Sequence, residues 1–513
     1  MEQSRYPADL PYHPIYINGE WCDALDGRTF YDYSPATGEA IAILAAAGPM
    51  DVDRAVKAAR DAFDRGPWPH TPPAERAQIL NAIADALEEQ TFELAEMEAS
   101  DVGATIRKTT YIDIPFGIDL LRTFAEMARK HPYEPLPWVD MPSVSWNFVW
   151  REPIGVCAQI IPWNLPFAMA CWKIGPALAT GNTVVIKPAS LAPLTTIRLV
   201  QTIHETGLLP KGVLNLVTGS GAEVGEALAT HPLVDKIAFT GSTDTGKRIM
   251  THAAQTIKKV TLELGGKSPS LVMPDADLDL VTDGVLFGAF WNAGQYCESG
   301  TRLFVHRSQH DELVERLAHR ARGMRIGDPL DLESDLGPLI NQKQRQRVES
   351  YIAVGKSEGA RLVCGGGRPE GDFFEQGAFI EPTIFTNVHN GTRLAQEEIF
   401  GPVLSVIAYD SLTEAIAMAN ETIYGLAAAV WSRDLQAAID VARSIRAGTV
   451  WINDHHLLNA VAPFGGYKQS GIGREMGMYG LNEYTEAKHI HVDLMQRREG
   501  KLWWDTLLPE RDA

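Results

Sequence analysis

Five short, apolar, β-branched runs between residues 155 and 264 alternate with amphipathic stretches, and this alternation restricts the fold more than any other feature. Strands are expected over 156–161, 183–186, 213–217, 236–239 and 259–264. Helices are expected between them over 168–179, 195–206, 222–229 and 246–254. Repeated βα units of this length build a parallel sheet wound on both faces. Such sheets bind ligands beyond the carboxyl ends of their strands. A second α/β region follows over 268–477. Its strands are expected at 303–306, 403–408, 427–431 and 449–453, with helices at 412–420 and 435–447.

The flanking stretches extend this frame. Residues 13–22 read as a hairpin turning at Asn18-Gly19, a dipeptide suited to a tight turn. An extended piece ends at 34–38. Asp51 is expected to cap a helix whose apolar residues Val52, Ala55, Val56, Ala59 and Phe63 recur three and four apart. Further amphipathic helices run from Pro72-Pro73 toward Ser100 and over 114–129. Pro132, Pro135, Pro137 and Pro142 mark a boundary segment. Residues 144–150 alternate, with Val144, Trp146, Phe148 and Trp150 on one face, and 489–494 alternate likewise; both predict strands. The tail over 495–513 carries Trp503 and Trp504 among leucines, a pattern that fits docking on a partner subunit.

At 513 residues the chain holds two or three domains. Its net charge of −19 argues against nucleic-acid or anionic-membrane surfaces, which need clustered Lys and Arg. No window approaches the ~20 apolar residues of a membrane span. The first residues lack the apolar core of a signal peptide, so the expected compartment is the cytoplasm. The five cysteines, Cys22, Cys157, Cys171, Cys297 and Cys364, form no CxxC pair, against a zinc site or disulfide frame.

Two groups stand at chain breaks. Glu263 ends an apolar run before Gly265-Gly266, and Cys297 sits in the loop Gly294-Gln-Tyr-Cys297-Glu-Ser-Gly300. A half-buried carboxylate with a raised pKa suits a general base, though a salt bridge to Lys267 or a nearby Arg would also explain Glu263. Cysteine is commonly an inert core thiol; glycines on both sides of Cys297 instead allow close approach of substrate. Asn164, between Pro162 and Pro166, is either a turn residue or a preorganised oxyanion donor. Lys187 ends another strand, within reach of a ribose or phosphate, or is solvated. Gly219-Ser-Gly221-Ala-Glu-Val-Gly225 is one residue longer than the dinucleotide fingerprint. Gly241-Ser-Thr-Asp-Thr-Gly246-Lys247 imitates a phosphate loop, but Arg248 replaces the magnesium-binding hydroxyl. What remains is Phe239-Thr240-Gly241-Ser242 leading a strand into a helix N-terminus, which favours a phosphate. The segments 396–402 and 463–471 place acids, aromatics and glycines at turns. Adjacent histidines such as His455-His456 point apart on most backbones, so no metal is expected.

Taken together, these residues resemble the aldehyde dehydrogenase superfamily, in its hydrolytic, nicotinamide-dependent branch, from about residue 15 to 494. The resemblance implies a Rossmann-like cofactor domain over 1–130 and 154–264 and a catalytic α/β domain over 265–477. It also implies a small β oligomerisation segment at 131–153 and, with the tail, 478–513. It implies Cys297 as nucleophile, Glu263 as base and Asn164 as oxyanion donor with the Cys297 N–H. Cofactor contacts would come from Ile161, Trp163, Lys187, Ser190, Gly221, Gly225, Phe239, Gly241, Ser242, Glu398 and Phe400. Phe116, Met169, Trp172, Trp291, Leu458 and Phe464 would line the substrate tunnel. Many members that require NAD have glutamate where this chain has Ser190; serine removes a repulsion toward a 2′-phosphate. NAD is expected, with NADP accepted as a second possibility. A homodimer or homotetramer is implied.

The implied reaction is oxidation of an aldehyde to its acid through a Cys297 thiohemiacetal and thioester. The apolar lining favours aromatic or medium-chain aldehydes, with a betaine aldehyde or aminoaldehyde as the alternative through a cation–π box. Glu298 would help a cation if it faced the tunnel. A CoA-acylating enzyme would not need Glu263. A cysteine hydrolase would leave the dinucleotide features unexplained, and a structural relative need not keep the complete Cys, Glu and Asn set.

Overall fold

The computed structural model describes residues 10–129, 133–138, 140 and 144–509. The first sheet runs Gly471–Ile472, Lys259–Glu263, Lys236–Thr240, Val156–Ile160, Thr183–Lys187, Leu214–Leu216, Ile15–Ile17, Glu20–Cys22. The five strands expected from the alternation form its parallel centre. The outer strands run antiparallel to their neighbours. The earliest of the five in the chain, Val156–Ile160, lies in the middle, with the next two to one side and the last two to the other. Strand order therefore reverses between Val156–Ile160 and Lys236–Thr240, where such a sheet opens its ligand crevice.

Successive residues of a strand face opposite sides, and here both sides are covered. Val156, Ala158, Ile160, Val185 and Ile237 pack with the helix Pro49–Asp64. Cys157, Val184, Ile186 and Leu214 pack with the helices Pro73–Glu88, Ile114–Arg129, Pro166–Ala179 and Leu194–Thr206. The helix Pro166–Ala179 is buried along all 14 residues. Burying each large aliphatic side chain contributes about 1.5–3 kcal/mol, which favours its nearly continuous apolar sequence.

The hairpin forms as expected, with Asn18 at φ 54° and Gly19 at φ 82°. Asp51 is not the helix cap. Pro49, whose ring presets a helical φ, starts the helix after Gly48, and Asp51 accepts the Gly48 N–H at 3.0 Å from the third position. The helix expected over 222–229 opens as a π-helical turn, Gly221–Gly225, before Glu226–Thr230.

The second sheet has seven strands in the order Arg361–Cys364, Thr383–Thr386, Val403–Tyr409, Arg302–His306, Pro269–Val272, Ala427–Trp431, Thr449–Ile452. Only Arg361–Cys364 is antiparallel to its neighbour. A third, antiparallel sheet joins Thr485–Asp493, Ser145–Pro153 and Tyr133–Pro135. Trp146 and Trp150 are exposed on it. Pro132 and Pro142 lie outside the described residues. Gly471–Ile472 belongs to the first sheet although it falls inside the 265–477 stretch; Glu263 pairs with Gly471. In the tail, Leu502–Thr506 is a 3₁₀ turn with Trp504 exposed. No helix among the described residues is long and apolar enough to cross a membrane.

Candidate active site

Cys297 stands in a loop fixed from both ends. The backbone turns left-handed at Asn292, Ala293 and Gly294, with φ of 51°, 53° and 71°. Gln295 then locks the turn: its amide donates to the Asn292 carbonyl at 3.0 Å and its Oε1 accepts from the Ile340 N–H at 2.9 Å. Asn164, brought in by the loop after Val156–Ile160, donates through Nδ2 to the Gln295 carbonyl at 2.8 Å. One amide hydrogen is thus used for positioning, and an amide nitrogen carries two. Gly265 and Gly266 have a steric reason to be glycine. A Cβ on Gly266 would sit 2.2 Å from the Cys297 carbonyl oxygen, and one on Gly265 would sit 2.5 Å from the Glu398 carboxylate.

The thiol is half-buried and donates to the Glu298 carboxylate at 3.1 Å. Burial and the Glu298 charge hold it well above the usual thiol range. Burial pushes the Glu298 carboxyl up, but hydrogen bonds from His456 and from the thiol outweigh this and hold it below its ordinary value. Glu263, at its strand end, is buried, and neither carboxylate oxygen has a hydrogen-bond partner among the described residues. Burial, then the charge of Glu475, pushes it well above the carboxylate range; Lys173 and Arg474 oppose the shift. Lys173 and Glu475 form a buried ion pair at 2.6 Å beside it. Glu475 is placed by backbone bonds of 2.7 Å in both directions with Phe464.

The expected cofactor residues gather at the carboxyl edge of the first sheet. Ile161 follows the first strand of the switch point, and its N–H reaches the Lys187 carbonyl at 3.1 Å. Gly241 and Ser242 follow the other strand, and Ser242 caps the helix Thr243–Ala253. Phe239 lies within that strand, its ring 2.5 Å from where a Gly241 Cβ would be. Lys187 is buried, donates to the Pro188 carbonyl at 2.9 Å, and is lowered by burial to about 8. Ser190 donates to the Gly219 carbonyl at 2.7 Å. Gly221 and Gly225 have open space where a Cβ would point. Across from these, Glu398 accepts the Gly266 N–H at 3.0 Å, and burial raises it to about 7. The Phe400 ring meets Trp163 edge-on at 5.3 Å, joining loops of the first and second sheets.

Of the expected substrate residues, Phe116, Trp172 and Phe464 form a chain of edge-on rings at 6.1 and 5.5 Å. Met169 and Leu458 share their apolar cluster, against which Cys297 also packs. Trp291 joins a different ring group: it stacks on Tyr296 at 4.9 Å and contacts His456 at 5.3 Å. The sequence reading did not single out Lys173 and Glu475. A lone lysine in the apolar run Ala168-Met-Ala-Cys-Trp-Lys173-Ile was the available signal, because a buried charge requires a partner.

Residues 21–490 match the aldehyde dehydrogenase family. The chain belongs to this family. As an aldehyde dehydrogenase it is an NAD(P)-dependent oxidoreductase. It is 45% identical over 481 residues to betaine aldehyde dehydrogenase of Bacillus subtilis, covering 93% of this chain and 96% of that protein. It is 44% identical over 485 residues to human mitochondrial aldehyde dehydrogenase, covering 94% and 92%. Among solved structures, this aldehyde dehydrogenase superposes on betaine aldehyde dehydrogenase of Staphylococcus aureus in complex with NAD+. The TM-score is 0.92 at 41% identity, with 95% and 96% of the two chains covered.

Proposed function

We propose that the enzyme oxidises an aldehyde to the carboxylic acid through a thioester on Cys297, with Glu263 activating the hydrolytic water. The observation that carries this reading is the shared loop. Asn164 is tied to the Gln295 carbonyl two residues before Cys297, while Glu263 stands apart, its carboxylate oxygens without a hydrogen-bond partner among the described residues. The sulfur attacks the carbonyl carbon. The second Asn164 amide hydrogen and the Cys297 N–H stabilise the oxyanion, as such donors do by roughly 10²–10³ in rate. A bound nicotinamide supplies the hydride acceptor. Once the thioester has formed, Glu263 takes a proton from water, and the acid leaves.

The residues fit a dinucleotide. The crevice at the strand-order reversal, the space beside Gly221 and Gly225, and the helix N-terminus at Ser242 suit a pyrophosphate. Lys187 and Glu398 would hold the two riboses. NAD is favoured because the S. aureus relative is in complex with NAD+; Ser190, already donating to Gly219, brings no carboxylate against NADP.

For the substrate, the ring chain Phe116–Trp172–Phe464 supports an aromatic or medium-chain aldehyde by burial. A betaine aldehyde is the second reading, favoured by the relatives of that name and by ring faces able to hold a quaternary ammonium. The exposed Trp146 and Trp150 on the third sheet suit a homodimer or homotetramer. NADH formation with benzaldehyde, hexanal and betaine aldehyde, with and without CoA, tests the reading. CoA-independent acid production supports it; dependence on CoA overturns the hydrolytic step.

A further inference from the structure

We propose that Glu298 is the proton acceptor for the Cys297 thiol, held on station by His455 and His456. This rests on the reading of Cys297 as the nucleophile and adds a base distinct from Glu263. A thiol must lose its proton as it attacks, and the partner it meets is the Glu298 carboxylate at 3.1 Å. No hydrogen bond joins Cys297 to Glu263, whose oxygens are without partners among the described residues.

The surroundings of Glu298 are built to fix it. His456 contacts the other carboxylate oxygen through Nδ1 at 3.1 Å and the Gly288 carbonyl through Nε2 at 3.0 Å. Both ring nitrogens thus face oxygen atoms, which fixes the plane of the ring. His455 Nε2 holds the Glu298 backbone carbonyl at 3.1 Å. Space for the His455 ring comes from two glycines: a Cβ on Gly288 or Gly300 would lie 2.8 or 2.9 Å from it. The backbone at His456 is left-handed, φ 62°, an uncommon conformation for a residue with a side chain. Its ring is caged by Trp291, Tyr296 and Phe287 at 5.3, 4.9 and 5.6 Å. The adjacent histidines, at which the sequence led us to expect no metal, grip one residue from two sides.

The proton inventory closes. As the sulfur–carbon bond forms, the thiol proton passes to Glu298 Oε2. When hydrolysis expels the thiolate, Glu298 returns it. The proton that Glu263 takes from water is the one released. The charged or titratable groups facing this centre are Cys297, Tyr296, His455, His456 and Glu263, with Lys108, paired to Asp113, over the Tyr296 and Trp291 rings at 5.3 and 5.4 Å and Glu398 acting on the sulfur from farther off.

The test is the pH dependence of Cys297 alkylation by iodoacetamide in the full chain, alongside the pre-steady-state NADH burst. Because the Glu298 charge holds the thiol up, Glu298→Gln moves alkylation to lower pH; if Glu298 accepts the proton, the burst nonetheless slows by on the order of 10²-fold at pH 7. Glu298→Asp recovers part of the loss, and His456→Phe moves the acid limb upward. If Glu298 merely repels a thiolate, Glu298→Gln speeds the burst at pH 7 along with alkylation. That result, or coincident wild-type and Glu298→Gln profiles, overturns the inference. Absence of any burst in the wild type would instead overturn the proposed function.

Discussion

A carboxyl group sealed away without a hydrogen-bond partner is costly to ionise, and Glu263 is such a group. Because burial raises its pKa, water activation should strengthen as pH rises. We expect thioester hydrolysis, read by single-turnover acid release, to speed up from neutral toward alkaline pH. Glu263→Gln should remove that limb and leave an acyl-enzyme detectable by mass spectrometry; full turnover by this variant would refute the base assignment. Cys297→Ala should abolish NADH formation while the fold persists. Lys173→Met strands Glu475 in the interior, and losing one partner of a buried pair costs about 3–5 kcal/mol. A denaturant melt within about 1 kcal/mol of wild type would contradict that. At this scale the sequence offered Cys297, Glu263 and Asn164 as candidates, because each interrupts a local pattern with a glycine or proline, and left the choice among their readings to the resemblance. It was silent on the direction of Glu298 and on the partner of Lys173, since both depend on segments more than a hundred residues apart in the chain.

Elements were legible where packing imposes a period. The five parallel strands and the helices at 114–129 and 412–420 follow directly from apolar spacing. Pro269–Val272, Arg361–Cys364 and Thr383–Thr386 are not among the expected strands, and neither is the six-residue Ala40–Ala45, whereas the four-residue Thr449–Ile452 is, so length alone does not decide which strands show. Asp51 stands three positions inside the helix rather than at its cap, because Pro49 competes for the start. The Gly265-Gly266 break was read as a break only; its packing role emerges from the contacts. Gly266→Ala would drive a methyl into the Cys297 carbonyl. Backbone cannot yield as a side-chain end does, so we expect a lower melting temperature together with slowed thioester formation. Normal burst kinetics in a stable Gly266→Ala protein would count against this.

For the molecule as a whole, pH acts on stability through buried acids. Burial and the nearby Asp113 charge raise Glu98 to about 8, against ~4.3 for an unfolded glutamate. Its contribution is therefore full below the unfolded value and lost as pH rises toward 8. Glu98→Gln, able to accept the same bonds from Phe167 and Thr195, should flatten the fall of melting temperature across that window; an unchanged slope would remove Glu98 from the account. Charged substitutions at Trp146 and Trp150 should yield smaller particles by light scattering, if the third sheet joins subunits.

The pairing of Glu263 with Gly471 has one more consequence. Topologically, residues 264–470 are an excursion that leaves one sheet and rejoins it at the adjacent rung. A foreign lobe whose two ends lie side by side would need only one pair of neighbouring splices to take that place. The host would keep Glu263 while the guest brought its own sulfur, and such an exchange would have to rebuild the ties that cross between them, Asn164 to the Gln295 carbonyl and Trp163 to Phe400.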